Sequence, residues 1–305
     1  MKINRRTILS GLAGAGLYGP TATLARAEPA SARQSLRVAF LTDSHLPVSP
    51  GENQRMSRML DRVLGQHDRP ELVVFGGDNV MAVDDDDEKN TATLAQAQFD
   101  NWVNKVLHRL TCPSVSVIGN HDIFWNDSKG KPAVDPKARA IEAYRMPHRY
   151  FRYRAGGWRF LLLDTFHADG CLIDLEQFQW LERELNDGTE PVILVSHAPI
   201  LSVTGFLESK VERPGGRYVL PSGWIVADVG KLKDLFLRHP RIKLALSGHM
   251  HQVDRVDYQG IEYLCGGAVS GNWWDPGKYI GFAPAYVMID LFVDGSFRHE
   301  VIFWE

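Results

Sequence analysis

The sequence predicts a layered α/β protein in which two mixed β-sheets pack face to face. Three observations point there. Apolar runs of strand length alternate with runs of helical spacing over residues 35–118. A glycine-rich turn near residue 156 joins two strand-like runs, and a series of short strands closes the chain.

Each element follows from its residues. Leu36 to Leu41 is a short apolar strand, and Asn53 to Leu64 spaces Met56, Met59, Leu60, Val63 and Leu64 as a helix does. Leu72 to Phe75 is a second buried strand, followed by a helix from about Thr91 to Leu110 and a third strand at Val115 to Ile118. That β-α-β-α-β order predicts parallel pairing with right-handed crossovers. Tyr150 to Tyr153 and Trp158 to Leu163 flank Ala155-Gly156-Gly157 and read as a β-hairpin. Leu175 to Leu185 is helical, Val192 to Val195 a strand, and Ala227 to Leu237 helical again. Strands at Leu244–Leu246, Val253–Tyr258, Ile261–Leu264, Tyr286–Phe292 and Phe297–Phe303 finish the chain. No repeat or linker interrupts residues 35–305, which read as one domain.

Composition narrows the class. A chain of 305 residues, 44% hydrophobic and 23% charged, can bury a core without staples. Its formal net charge of −3 gives no reason to expect a nucleic-acid polymer as partner, though a nucleotide-sized substrate is admitted. Three cysteines, Cys112, Cys171 and Cys265, allow at most one internal disulfide; the preferred reading is three small, mostly buried apolar residues.

Met1 to Ala27 reads as a signal peptide: Arg5-Arg6, an apolar stretch from Ile8 to Tyr18, then Ala25-Arg26-Ala27 as a cleavage site. Asn4-Arg5-Arg6-Thr7-Ile8-Leu9 resembles the twin-arginine motif, with Ile8 in place of the usual Phe. The expectation is delivery by the twin-arginine export machinery to the periplasm or the outside. Residues 28–34 form a linker, and the mature domain of 35–305 carries no transmembrane segment.

The residues that carry chemistry sit where strands end. Asp43-Ser44-His45 follows the first strand, Gly76-Gly77-Asp78-Asn79 the second, and Gly119-Asn120-His121-Asp122 the third. Ser196-His197-Ala198-Pro199 and Gly248-His249-Met250-His251 follow two later strands. Ligands of open α/β sheets bind outside the carboxyl ends of parallel strands, so these clusters can converge. Each alone is weak; the HxH, if on a strand, would point both imidazoles to one face. Together they offer oxygen and nitrogen donors and no thiolate, which suits borderline or hard divalent metals.

DSH, GGDN, GNHD, SHAP and GHMH, in that order over residues 43–251, resemble the five motifs of the calcineurin-like metallophosphoesterases. The resemblance implies a four-layer αββα sandwich, agreeing with the layered reading. It implies two divalent or mixed-valence transition metal ions, with Mn, Fe or Zn expected. Asp43, His45 and His251 would bind the first, Asn120, His197 and His249 the second, and Asp78 would bridge them. A hydroxide shared by ions roughly 3.5–4 Å apart would attack phosphorus in line. His121 would protonate the leaving alkoxide, while Asp122 would either orient that imidazole or fix its loop. Met81 stands where purple acid phosphatases carry a ligand Tyr, and Asn79-Val80-Met81-Ala82 lacks the VDRG-like stretch of protein phosphatases. Only 54 residues follow His251, too few for the extra domain of 5′-nucleotidases. The expected substrate is a small phosphoester, a diester in preference to a monoester; a non-catalytic metal-binding scaffold is the rival.

Softer features remain. Trp273-Trp274, in a Gly-rich loop, could wall the site or anchor the loop as buried indoles, the latter preferred. Lys210, Arg213 and Arg217 in the 205–223 segment could present cations to phosphate, although a solvated loop is preferred. His167 is read as a surface residue, and Asp84 to Glu88 as a solvated acidic loop.

Overall fold

The computed structural model describes residues 33–65, 69–83, 92–125, 133–207, 215, 219–221 and 223–305. The signal peptide, most of the linker, the acidic run at 84–88 and the basic residues Lys210, Arg213 and Arg217 lie outside the described residues.

The first half builds β1 (Gln34–Leu41), α1 (Pro50–Leu64), β2 (Leu72–Phe75), α2 (Ala92–Lys105), β3 (Ser114–Ser116), α3 (Ala138–Ala143), β4 (Phe151–Ala155) and β5 (Trp158–Leu162). The second half adds β6 (Phe166–His167), β7 (Gly170–Cys171), α4 (Leu175–Asn186), β8 (Val192–Val195), α5 (Val229–Phe236) and β9 (Ile242–Ser247). It closes with β10 (Val253–Tyr258), β11 (Ile261–Gly266), β12 (Ala285–Phe292) and β13 (Phe297–Phe303).

Two large sheets result, one ordered β13-β12-β1-β2-β3 and the other β10-β11-β9-β8-β5-β4, and β6 and β7 pair by themselves. Strands β1-β2-β3 of one sheet and β5-β8-β9-β11 of the other are parallel. Antiparallel strands flank them, β12 and then β13 beyond β1, β10 beside β11 and β4 beside β5, so that β3 is a parallel edge. Strand alternation explains why the sheets stack and why helices cover them. In β1, Val38 and Phe40 join an apolar cluster with Phe160, Ile193, Leu244 and Val287, drawn from both sheets, so they face the sandwich interior. Ala39 and Leu41 join the other cluster, which holds Met56, Met59 and Leu60 of α1. The expected α/β architecture, two large mixed sheets flanked by helices, is the one found.

The differences are local. The helix expected to reach Leu110 stops at Lys105 and a 3-10 turn takes over at Leu107–Arg109, where Arg109 bonds to Ser57 of α1. The six residues of α3 are too few to show a period, and β6 and β7 have two residues each. All three cysteines are free, and Cys112 is half-buried rather than buried.

Candidate metal centre

Every polar cluster singled out from sequence lies just beyond the carboxyl end of a parallel strand. Asp43 and His45 follow β1, Asp78 follows β2, Asn120 and His121 follow β3, His197 follows β8, and His249 and His251 follow β9. Backbone bonds stitch the turns together: Asp43 N–H donates to Gly77 O, His45 N–H to Asp78 O, and Gly248 N–H to His197 O. The last of these ties β9 to the turn after β8. Sharp turning requires unusual backbone. Asp43, His45, Asp78, His249 and His251 all have φ between 41° and 70°, in the left-handed region that L side chains rarely occupy. Gly248 serves a different need, since a Cβ there would overlap the side chains of Thr42 and Asp43.

The donors converge in three groups whose ligand atoms lie within 4.8 Å of one another: Asp43, His45 and His251; His45, Asp78 and His121; Asp78, His197 and His249. Three imidazoles have a fixed tautomer. Nδ1 of His45 meets Met81 O at 3.2 Å, that of His197 meets Gly76 O at 2.7 Å, and that of His251 meets Gly271 O at 3.0 Å. A carbonyl only accepts, so each Nδ1 carries the proton and each Nε2 turns its lone pair inward. Those lone pairs then face other acceptors. His45 Nε2 and His251 Nε2 are 3.0 Å apart, and His197 Nε2 is 3.0 Å from Asp78 Oδ2 without a hydrogen bond of acceptable geometry. Asn120 Oδ1 is likewise buried with no partner. Acceptors packed against acceptors in a dry site require a cation between them, and the residues fit a metal on that ground.

Charge on the groups agrees. Burial alone would neutralise His197, but the Asp78 and Asp43 carboxylates raise it to about 9, the mark of a negative potential that favours a cation. Burial, reinforced by His251 and His121 and only partly offset by Asp78, drives His45 down to about 3. Burial and the neighbouring His197 take His249 to about 4. Burial resists ionisation of Asp78, yet the imidazoles of His197 and His121 hold it well below the usual carboxylate range.

His121 and Asp122 divide their tasks. The His121 amide donates to Asp78 Oδ1 at 2.9 Å, and its ring stands edge-on to His45 with centroids 5.0 Å apart. Asp122 is fully buried and accepts from the amides of Asp78, Asn79, Val80 and Gly119 and from the Tyr144 hydroxyl. These bonds tie the turns after β2 and β3 together, as the loop-fixing role requires. Burial and the Asp78 carboxylate push Asp122 up to about 6, against the pull of these donors.

The HxH lies beyond β9, as the sequence placed it, and the left-handed backbone parts the two rings. His251 goes to Asp43 and His45, while His249 goes to Asp78 and His197. The paired indoles also separate. Trp274 is the buried anchor, its Nε1 donating to Ser44 O and His45 O, while Trp273 is half-buried with its ring 4.2 Å from that of His251. His167 is not a surface residue; it is half-buried in β6, within 4.0 Å of Asp164. Sequence reasoning missed Phe166, whose ring lies 5.6 Å from His197 and 5.1 Å from His249. It also missed buried Lys137, which donates to Phe166 O and pairs with Asp164. Lys137 carries no local signal, since a single lysine before a short helix reads as solvated.

Comparisons with known proteins bear on this geometry. A family model described as calcineurin-like phosphoesterase matches residues 36–253. A probable cyclic nucleotide phosphodiesterase of Synechococcus sp. is 24% identical over 88% of this chain and 92% of its own length. A 3′,5′-cyclic adenosine monophosphate phosphodiesterase of Escherichia coli K12 is 22% identical over 90% of this chain and 91% of its own. Among solved structures, a dimetal phosphatase from Danio rerio shares the fold with a TM-score of 0.59 at 12% identity, over 90% of this chain and all of that one.

Proposed function

The chain belongs to the calcineurin-like phosphoesterase family, and from that premise we propose that it is a dinuclear-metal phosphodiesterase acting on cyclic nucleotides. The observation that carries the reading is the convergence of Asp43, His45, Asp78, His121, His197, His249 and His251 from both sheets, with His197 Nε2 and Asn120 Oδ1 buried without a hydrogen-bond partner. Asp43, His45 and His251 would hold one divalent cation, Asn120, His197 and His249 a second, and Asp78 would be shared. Bound there, such ions lower the pKa of a water and offset charge on the phosphoryl oxygens. The chain's own residues do the rest. The Nδ1–carbonyl bonds of His45, His197 and His251 fix the rings before substrate arrives. His121, its backbone pinned to Asp78, protonates the departing alkoxide. Asp122 is a positioning residue that holds the turns after β2 and β3 in register. The diester preference is supported by the names of the relatives, which span nearly the whole chain.

The test uses the mature protein stripped of metal and reloaded with Mn²⁺, beside an Asp78→Asn control. Faster hydrolysis of bis-p-nitrophenyl phosphate and cyclic AMP than of p-nitrophenyl phosphate, lost in the control, is expected. Faster monoester cleavage would make the enzyme a phosphatase, and two bound metals without turnover would make it a scaffold. The N-terminal Arg5-Arg6 supports export by the twin-arginine route. Replacing both by Lys should strand the protein in the cytoplasmic fraction.

A further inference from the structure

The rim of the centre is aromatic on one side and left open. Trp273 lies over His251 with the two rings inclined by 32°, and its ring is 5.7 Å from that of His45. Tyr279 meets Trp273 at 89°, centroids 5.1 Å apart, and also reaches His251 at 5.5 Å. Both residues are half-buried, so filling the core does not account for two large rings here. The backbone beneath them is strained. Trp273 and Trp274 have φ of 48° and 70°, and bulky side chains rarely adopt such values. Among the ten described non-glycine residues with positive φ, these two stand beside five candidate ligands. Strain of this kind persists where the surroundings over-determine it, and it clusters at sites that bind or react. Trp274 supplies the anchorage through Ser44 O and His45 O, and Arg55 bonds to its carbonyl. The same loop turns Gly271 O toward His251 Nδ1, so it is locked to the centre at both ends of the indole pair.

An indole held rigidly, one part against a ligand histidine and the rest open, with a phenol standing perpendicular to it, offers a stacking face for a flat ring. A nucleobase is the flat ring that a nucleotide carries close to its phosphate. We infer that Trp273, with Tyr279 as its side support, is the specificity platform that stacks the nucleobase of the substrate; this rests on the cyclic-nucleotide reading above. Stacking on an indole face tolerates any base, so this contact should hold adenine and guanine with similar affinity.

The experiment compares two non-hydrolysable phosphonates, one an analogue of AMP and the other of ribose 5-phosphate. Each is titrated calorimetrically into the Mn²⁺-loaded protein. The adenine should tighten binding by about tenfold, the scale of base–aromatic stacking. Trp273→Ala and Trp273→Leu should both lose that preference while binding the base-free analogue as before, and Trp273→Phe should keep most of it. An unchanged preference in Trp273→Ala overturns the inference. So does a joint fall of metal content and base-free affinity, which would mean that the indole only props His251. Binding needs no turnover, so the platform is read even if the enzyme proves to be a monoesterase.

Discussion

The two walls of the centre are built by different physics. Beside His197 and His249 stands Phe166, buried and set on the two-residue strand β6. Its carbonyl is gripped by Lys137, which also pairs with Asp164, and Asp164 takes a second bond from Arg149 at 2.9 Å. Burial pulls Lys137 below the ordinary lysine range while Asp164 supports the charge. Beside His45 and His251 stands Trp273, half open, anchored through Trp274, whose indole donates to two backbone carbonyls and whose own carbonyl accepts from Arg55. A closed, charge-clamped wall keeps imidazoles in place; an open aromatic wall has surface left over for a substrate.

The comparison assumes that both halves belong to one centre, and Asp78 is where they meet. Asp78→Asn should lower turnover by about a thousandfold or more, since the shared carboxylate serves charge on both sides. Metal analysis should show fewer ions per chain. Full metal content with an intact rate would break the centre into two unrelated sites.

His121 comes next, with an expected loss of about 10²–10⁴ in rate for His121→Ala and unchanged metal content. The loss should be larger for an alkyl leaving group than for p-nitrophenolate, which hardly needs a proton. Its ring nitrogen also lies in a group with His45 and Asp78. A fall in metal content would therefore reassign it from proton donor to ligand.

The walls themselves can be compared directly. Phe166→Ala should cost about 3 kcal/mol in a denaturant titration, at the lower end of buried Phe truncations. Trp273→Ala should cost about 1 kcal/mol, because much of the ring is already in water. Equal costs would erase the distinction between a structural wall and an open one.

What the sequence made legible was whatever leaves a short-range mark. Strand alternation and helical spacing located the layers, and the chemistry-bearing clusters showed because each sits within a few residues of a strand end. The paired tryptophans were visible as a pair, yet nothing local says that Trp274 turns inward and Trp273 outward; that split depends on φ of 70° and 48° imposed by contacts with residues 44 and 45. In the HxH the same left-handed backbone breaks strand alternation, so the family resemblance, and not the spacing, assigned its two imidazoles to different metals. Lys137 and Asp164, 27 positions apart, meet only because β5 and the segment before α3 are brought together in space. Contacts of that kind leave no spacing to read.

The smallest effect concerns Arg55, which reaches the open wall from α1. Its Nη1 donates to Trp274 O, its guanidinium lies 5.1 Å over the Trp274 ring, and its Nε donates to Glu305 at 3.0 Å. Both members of the Glu305 pair are partly exposed, so that pair contributes little, and most of the value lies in the carbonyl bond and the stacked ring. Arg55→Ala should cost about 1 kcal/mol, a fall in Tm of about 2–4 °C for a domain of this size. Arg55→Lys should recover little, because an ammonium lacks the planar fork that bonds and stacks together. Glu305→Gln should cost less than either. If Glu305→Gln instead matches Arg55→Ala, the arginine acts through the carboxylate, and the Trp274 anchor rests on its two indole bonds alone.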